Sequence, residues 1–390
     1  MLAGGPRSGQ ATGNPGPSCE ALAVSTVVRA VAPGRVNLIG DHTDYNAGLA
    51  LPLAVQLRTT VELRGGAPGR LTIRSSLGPP ATVATGPGAE APSRVTPAWA
   101  RLAAAVVAEA GWAGGGVVDV VSSVPVGAGL SSSAAFAVAL ALALGVRGDP
   151  LEVARRCQRA EALAGSQVGL MDPLVALAAR EGTCLLLDLA EDSATPVPFP
   201  TGAELVVVHS GVERVLADTP YGRRRAECEA AAAAIGRPLG TAGPGDLRRL
   251  VDPVLRRRAR HVVSECRRVA ELAVALAGGD LRSAGAVMAE SHRSLAEDFE
   301  CSTVEVDRLV SALASVPGVA GARMTGGGFG GCVVALAEPG ALLGGSSGRP
   351  AALLEGRRFW GVVPSGPATV SVVPAPGEGA ASAEPGGPGG

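Results

Sequence analysis

The segment 33–52, PGRVNLIGDHTDYNAGLALP, concentrates side chains that donate or accept hydrogen bonds within about a dozen positions. They are Arg35, Asn37, Asp41, His42, Asp44 and Tyr45. Because ionised carboxylates accept hydrogen bonds, two aspartates beside a histidine suit a polyol, whose hydroxyl groups donate to them. The alternative is a solvated loop that is held by its own turn hydrogen bonds.

The segment 125–135, PVGAGLSSSAA, has the composition of an anion-binding turn. Gly127 and Gly129 can adopt the backbone angles that turn amides toward one point. The apolar helix that follows adds unpaired N–H groups and the positive end of its dipole. The hydroxyl groups of residues 131–133 can donate hydrogen bonds to phosphate oxygens or coordinate a magnesium ion. These features predict a phosphate cradle; the alternative is a glycine-rich turn that a serine closes as a helix cap.

Two further segments could contribute to a site. MTGGGFGGC, residues 324–332, contains five glycines that allow very close backbone approach to a ligand, although alone it is more often a tight turn. GLMDP, residues 169–173, puts Asp172 ahead of a predicted helix. Asp172 could cap that helix. If it lies beside Arg35, the cation would keep it ionised and ready to accept a hydroxyl proton.

The chain contains no lysine, and all 34 basic residues are arginines. A Walker-type phosphate loop, the strand lysine of protein kinases and a pyridoxal Schiff base each need a lysine. All three mechanisms are excluded. Phosphate chemistry in this chain must therefore use backbone amides, arginine and a metal ion.

Other function classes are excluded by composition. The 34 basic and 35 acidic residues leave a net charge of −1, so there is no overall basic field for nucleic acid or an anionic membrane. The arginine runs at 223–225 and 256–260 are interpreted as solvated helix surface. The apolar stretch 134–146 is shorter than the roughly 20 residues of a membrane span and predicts a buried helix.

Cysteine and histidine usage predicts a reduced protein without a zinc site. The seven cysteines are odd in number and far apart, no CxxC occurs, and the four histidines lack metal-ligand spacing. The cysteines are Cys19, Cys157, Cys184, Cys228, Cys266, Cys301 and Cys332. The first two dozen residues lack the apolar core of a signal peptide, and we expect a cytoplasmic protein.

The elements that would position these residues mix strands and helices. Strands are predicted at 26–32, 117–122, 183–189, 205–209, 333–336 and 369–373, and a hairpin at 56–63 and 70–73. Helices are predicted at 97–110, 134–146, 151–163, 174–179, 219–234 and 253–277, with two shorter ones after them. Composition predicts disordered tails at 1–23 and 377–390, and a linker at 191–200 between domains 24–190 and 201–376.

Together these segments resemble the galactokinases, which belong to the GHMP superfamily of small-molecule kinases. PVGAGLSSSAA and MTGGGFGGC are similar to the superfamily motifs, and GRVNLIGDHTDYNAG is close to the galactokinase signature. Trp99 and TPYGRRRAECE, from Thr219, match further family features. The resemblance covers about residues 24–373. It implies an α+β fold with an N-terminal, ribosomal-protein-S5-like mixed sheet with helices, a C-terminal ferredoxin-like domain and an active site in the cleft between them.

The resemblance also implies a reaction and its residues. The reaction is transfer of a phosphoryl group from ATP to the anomeric hydroxyl of galactose, as in the Leloir pathway, by a monomer with no obligate partner. Asp172 falls at the catalytic base and Arg35 at the residue that stabilises it. Substrate positions are Asp41, His42, Thr43, Asp44, Gly169 and Tyr221. ATP positions are Ser75, Gly127, Ala128, Gly129, Leu130, Ser131, Ser132 and Ser133, and Mg²⁺ positions are Ser133 and Glu161.

Four departures from the family pattern keep alternatives open. Asp41 is more often Glu, which has one methylene more reach, and Pro173 stands where Gln is usual. The segment 161–172 is about one residue shorter, and 338–350 is rich in Gly and Pro where an amphipathic helix is expected. The first two departures leave room for another acceptor, such as an amino sugar or arabinose. A non-catalytic sensor of sugar and ATP is disfavoured, because Asp172 and the three serines are all present.

Overall fold

A computed structural model describes residues 26–76, 78–166, 169–212, 220–344 and 351–374. The strands are β1 Thr26–Asn37, β2 Leu49–Ala50, β3 Pro52–Gly66, β4 Arg70–Ser75, β5 Gly78–Ala84, β6 Gly115–Ser122, β7 Thr183–Asp188, β8 Ser193–Pro198, β9 Glu204–His209, β10 Val319–Thr325, β11 Cys332–Ala337, β12 Phe359–Val362 and β13 Thr369–Pro374. The helices are α1 Arg101–Ala110, α2 Ser132–Ala143, α3 Pro150–Leu163, α4 Met171–Ala178, α5 Pro220–Ile235, α6 Pro253–Ala277, α7 Leu281–Glu297 and α8 Val304–Ala314. The predicted tails at 1–23 and 377–390 lie outside the described residues.

The first sheet has six strands in the order β13-β1-β3-β6-β4-β5. It is mixed, because β4 runs parallel to β6 while its other pairs are antiparallel. Helix α2 is buried along most of its length and lies against β1 and β3. Since aromatic residues make up only 3% of the chain, this core is built from alanine, valine and leucine, which lets helix and sheet approach closely.

The predicted hairpin between 56–63 and 70–73 is wrong. Both segments are strands, but β3 pairs with β1 and β6, and β4 pairs with β5 and β6. The strand β6, which comes later in the chain, lies between them. A local pattern of apolar residues predicts that a strand forms but not which strand becomes its partner.

The second sheet has the order β10-β11-β9-β12 and packs against α5 to α8. Helix α7 touches β10 at Gly285, where an added Cβ would lie 1.8 Å from the Ala320 carbonyl oxygen. Residues of both sheets meet in one shared core, where Val36 and Leu53 of the first sheet join Leu205 and Val334 of the second. This core fixes the two sheets against each other.

The first sheet and its helices are called the first half of the molecule, and the second sheet with α5 to α8 the second half. A small sheet, β2-β7-β8, connects them, because it contacts β3 of the first half and α6 of the second. The segment 191–200, for which composition predicts a linker, contains β8, because β7 offers it an antiparallel partner. We propose that the domain boundary lies at this segment. Strand β13 nevertheless returns to pair with β1, so the last described strand belongs to the first sheet.

Helix formation follows the predicted pattern at most positions, with ends shifted by a few residues. The helix predicted at 174–179 begins earlier, at Met171, with Leu170 as its N-cap. Asp172 therefore lies in the first turn of α4 and does not cap it. The described part of the Gly/Pro-rich segment is tied to β9, because the Glu204 carboxylate accepts hydrogen bonds from the amides of Gly340, Leu342 and Leu343. Among the helices described, none has both the length and the apolar character needed to cross a membrane.

Candidate active site

Arg35 and Asp172 form the centre of the site. Arg35 lies near the end of β1, just after a register shift between Pro33 and Arg35. Its guanidinium donates from Nε to Asp172 Oδ1 and from Nη2 to Asp172 Oδ2, both at 2.7 Å. A two-pronged contact of this kind fixes the orientation of a carboxylate. The pairing that the sequence predicts conditionally is therefore present.

The glycine/serine segment 127–133, called the cradle, contacts Arg35 of this ion pair. Arg35 Nη1 donates to the Gly129 carbonyl at 2.6 Å, and the Arg35 amide donates to the Leu130 carbonyl at 3.1 Å. A Cβ on Gly34 would lie 2.7 Å from that same Leu130 oxygen, so glycine is required for the close approach. Strand β1 and the cradle are thus held as one unit.

Every second residue of the cradle adopts a left-handed backbone conformation. The φ angles are 76° at Gly127, 72° at Gly129 and 59° at Ser131. Ser131 is the N-cap of α2, yet its side chain makes no cap hydrogen bond; its hydroxyl donates to Asp172 Oδ2 instead. The serine-cap alternative is therefore wrong at this position, and the hydroxyl orients the candidate base.

The other predicted cradle residues surround this arrangement. Ala128 and Leu130 are buried and anchor the loop in the shared core. Ser132 and Ser133 form the first turn of α2. Ser75 ends β4, opposite Val120 of the parallel strand β6. Because parallel neighbours end at the same edge of a sheet, Ser75 lies at the edge from which the cradle starts.

Glu161 on α3 offers oxygen ligands for a cation. Burial and the negative charge of Asp172 raise the pKa of Glu161 to about 7, although Ser133 donates a hydrogen bond to it. Its Oε2 has no hydrogen-bond partner among the described residues. A buried carboxylate beside a hydroxyl fits Mg²⁺, which binds few protein ligands together with substrate phosphates. The described ranges hold no cluster of three or more His, Cys, Asp or Glu that could bind a metal alone.

The DHTD loop, residues 41–44, is closed by its own hydrogen bonds. The Thr43 hydroxyl lies 2.7 Å from the Gly40 carbonyl and 2.6 Å from the Leu49 carbonyl. The Asn46 side chain donates to the His42 carbonyl. Thr43 is completely buried, so its hydroxyl holds the loop, and a contact of Thr43 with substrate stays a prediction.

Aromatic rings hold His42 in a strained conformation. His42 has a φ of 66°, which a non-glycine residue adopts only where its surroundings enforce it. Its ring stacks on Phe299 with 4.2 Å between centroids, and its Nδ1 lies 3.0 Å from the Tyr45 hydroxyl. The Tyr221 ring is 5.5 Å away and packs on Gly327 of the second glycine-rich segment.

Asp44 lies half-buried beside these rings. Burial, together with the charge of Asp172, raises the pKa of Asp44 to about 6. A Cβ on Gly169 would lie only 1.5 Å from Asp44 Oδ2. A larger residue at position 169 would force the Asp44 carboxylate to move. The structure brings Asp44, Gly169, His42 and Tyr221 together, and their contact with a sugar stays a prediction.

Asp41 has a different environment. Its Oδ1 accepts a hydrogen bond from the Gly326 amide at 2.8 Å, and its Oδ2 lies 2.6 Å from Arg323 Nη2. Its side chain is 3% exposed. Sequence reasoning missed Arg323, although this residue directly precedes MTGGGFGGC, and it missed Phe299, which no motif contains.

Comparisons with known proteins show which family the chain resembles. The galactokinase galactose-binding signature matches residues 22–64, the GHMP kinases N terminal domain matches 98–180, and the GHMP kinases C terminal matches 272–351. Galactokinase of Homo sapiens is 43% identical over 334 residues, covering 79% of this chain and 83% of that protein. Galactokinase of Mycobacterium tuberculosis is 43% identical over 321 residues, covering 78% and 87%.

A solved structure of a galactokinase shares the fold of this chain. Lactococcus lactis galactokinase, determined as a complex with galactose, superposes with a TM-score of 0.79 at 25% identity, over 88% of this chain and 95% of that one. The matched N- and C-terminal domains define a GHMP kinase. The chain belongs to the galactokinase family and is an ATP-dependent sugar kinase.

Proposed function

We propose that the protein transfers the γ-phosphoryl group of ATP to the anomeric hydroxyl of D-galactose, with Asp172 as the base. The observation that carries the proposal is the contact of the Asp172 carboxylate with both Arg35 and the cradle residue Ser131. A base that is held at the phosphate cradle is within reach of a hydroxyl that attacks a bound phosphate. Galactose is the substrate that the family relatives indicate.

The proposed reaction is an in-line displacement. The anomeric hydroxyl passes its proton to Asp172 while its oxygen forms a bond to the γ-phosphorus. The bond between the γ-phosphorus and the oxygen that bridges to the β-phosphate breaks, and ADP leaves. Arg35 orients the Asp172 carboxylate and stabilises the charge that develops on the transferred group. Such catalysis consists mainly of positioning and charge stabilisation, which this lysine-free site provides.

We assign the sugar to the wall formed by His42, Asp44, Tyr221 and the backbone of Gly169. Burial and the charge of Asp44 raise the pKa of Tyr221, so its phenol stays protonated and donates a hydrogen bond. The neutral or ionised Asp44 carboxyl accepts hydrogen bonds from sugar hydroxyls. Thr43 supports this wall through the loop.

We assign the nucleotide phosphates to residues 127–133. We assign Ser75 to a further contact with the nucleotide. Ser133 and Glu161 would hold Mg²⁺. When bound, this ion neutralises charge on the phosphate oxygens. The amides of the cradle and the start of α2 orient the triphosphate toward the hydroxyl that Asp172 deprotonates. A monomer in the cytoplasm is part of the same proposal.

The test is turnover by the purified protein with ATP, Mg²⁺ and galactose, followed by ADP release and by detection of galactose 1-phosphate. Asp172→Asn should lower kcat by about 10²–10⁴-fold, the usual contribution of a general base, while the protein stays folded. Asp192→Asn is the matched control, because Asp192 forms an exposed pair with Arg155 on the surface. If Asp172→Asn turns over like the parent, the assignment of the base fails.

A panel of acceptors separates the proposed substrate from its alternatives. Galactose, galactosamine and arabinose are compared by kcat/KM under the same conditions. A preference for galactose supports the proposal, and a higher value for another sugar replaces the substrate but keeps the mechanism. No release of ADP above background with any sugar would contradict catalysis itself.

A further inference from the structure

A buried cluster of charged side chains joins the DHTD loop to the second half of the molecule. Its centre is Arg323 near the end of β10, which is completely buried. Arg323 Nη2 lies 2.6 Å from Asp41 Oδ2 and 3.6 Å from Glu265 Oε1, and Nη1 donates to the Leu38 carbonyl at 2.8 Å. The arginine thus contacts three elements: Leu38, directly after β1, the DHTD loop and α6.

Glu265 completes the cluster on α6. It accepts hydrogen bonds from the Gly40 amide at 3.1 Å, from Arg268 Nε at 2.8 Å and from the Ser291 hydroxyl at 2.5 Å. Two arginines therefore face two carboxylates, and every charge has a partner of opposite sign. Such a cluster is tolerated in a protein interior only when it is complete.

The Asp41 carboxylate is committed to this cluster on both oxygens. One oxygen accepts from the Gly326 amide and the other contacts Arg323. The backbone carbonyl of Asp41 lies 3.2 Å from His261 Nε2. With 3% of its side chain exposed, Asp41 offers no accessible oxygen to a ligand in the cleft.

We propose that Arg323 is a positioning residue of the sugar site, which acts through Asp41 to hold the DHTD loop against the glycine-rich segment 326–331. In this arrangement Asp41 links two loops and does not contact a sugar hydroxyl. The residues of the loop that face the sugar, His42 and Asp44, depend on this link for their position. This inference rests on the proposed function, since it assigns a role within that site.

Deoxygenated sugars distinguish a link from a direct contact. We would measure kcat and KM for galactose and its 2-, 3-, 4- and 6-deoxy analogues with the parent, Asp41→Asn and Asp44→Asn. Asparagine keeps an oxygen for the Gly326 amide but presents an NH₂ group to Arg323, which breaks the link. We expect Asp41→Asn to raise KM about tenfold for all five sugars equally, with kcat within about threefold, as for a loss of uniform binding.

An effect of Asp41→Asn that depends on one sugar hydroxyl would overturn the proposal. If Asp41→Asn weakens galactose but not one deoxy analogue, then Asp41 contacts the hydroxyl that this analogue lacks, and the proposal is overturned. Asp44→Asn, assigned to direct contact, should show such a hydroxyl-specific pattern. Arg323→Lys, which keeps the charge, should restore most of the affinity that Arg323→Met loses.

A second readout does not depend on sugar turnover. Thermal unfolding of the parent, Asp41→Asn, Arg323→Lys and the double variant gives the coupling between the two side chains. Non-additive shifts in Tm support the link, and additive shifts overturn it. A parent protein that is inactive with galactose would contradict the proposed function and leave this coupling as an independent result.

Discussion

Asp172 lies near two carboxyls, Asp44 and Glu161, whose pKa values its charge helps to raise. Arg35 pairs with Asp172, and its positive charge only partly offsets the rise in the pKa values of Asp44 and Glu161. The site therefore concentrates acidic groups that hold their protons to a higher pH than free carboxyls do. Hydroxyl groups of a sugar and a cation would relieve this repulsion, so the same charges favour ligand binding.

At pH 8 the variant Asp44→Asn should be more stable than the parent. A carboxyl whose pKa rises from 3.8 unfolded to about 6 folded contributes its stability below pH 4 and loses it as pH rises through 6. Replacing it removes this loss, which is about 1–3 kcal/mol for a shift of this size. The measurement is urea unfolding at pH 4 and pH 8, with Asp192→Asn as control. A gain that is the same at both pH values would contradict the explanation.

Single residues differed in how well the sequence identified them. Asp172, Arg35 and the DHTD loop lie in dense polar or glycine-rich segments, and these segments meet in space. Arg323 and Phe299 act only through tertiary contacts, with Asp41 and His42 respectively. A lone arginine in a chain with 34 of them, or one phenylalanine in a helical region, carries no local signal.

The elements show the same limit. Amphipathic spacing predicted α3, and a long run rich in Arg, Glu and Ala predicted α6; one face of each helix is buried. The order of the strands was not predictable, since β6 separates β3 from β4 only in the folded sheet. The proline-containing segment that forms β8 lacked a strand pattern and became a strand because β7 was available to pair with it.

The contact between α7 and β10 gives a prediction at this scale. Gly285→Ala should destabilise the protein by about 1–3 kcal/mol, as overpacking does, because the new methyl group would push helix and strand apart at the Ala320 carbonyl. Gly222→Ala is the matched helical control: nothing lies within 4 Å of its added Cβ. This control should be neutral or more stable by about 0.5–1 kcal/mol. Equal Tm values for both variants would show that α7 can move without cost.

The two halves of the molecule share one apolar core and one charged cluster. Burial alone would raise the pKa of Glu265, but the neighbouring His261, Arg323 and Arg268 outweigh burial and, with the Ser291 hydrogen bond, lower this pKa to about 2. A depressed carboxyl contributes stability above its unfolded pKa of 4.5 and loses it as pH falls toward 2. Acid should therefore weaken the junction between the halves.

The corresponding experiment compares acid unfolding of the parent and Glu265→Gln. The parent should lose on the order of 2 kcal/mol of unfolding free energy between pH 4.5 and 2 through this group, and the variant should lack that part of the pH dependence. Glu271→Gln, on the exposed side of the same helix, is the control. Parallel curves for parent and Glu265→Gln in this pH range would refute the assignment.

The pairing of β13 with β1 has a consequence for biosynthesis. A ribosome releases the first partner of this pair more than three hundred residues before the second. During that interval β1 keeps an open hydrogen-bonding edge that a neighbouring nascent chain could occupy. The half of the enzyme that is translated first is therefore the half that is completed last.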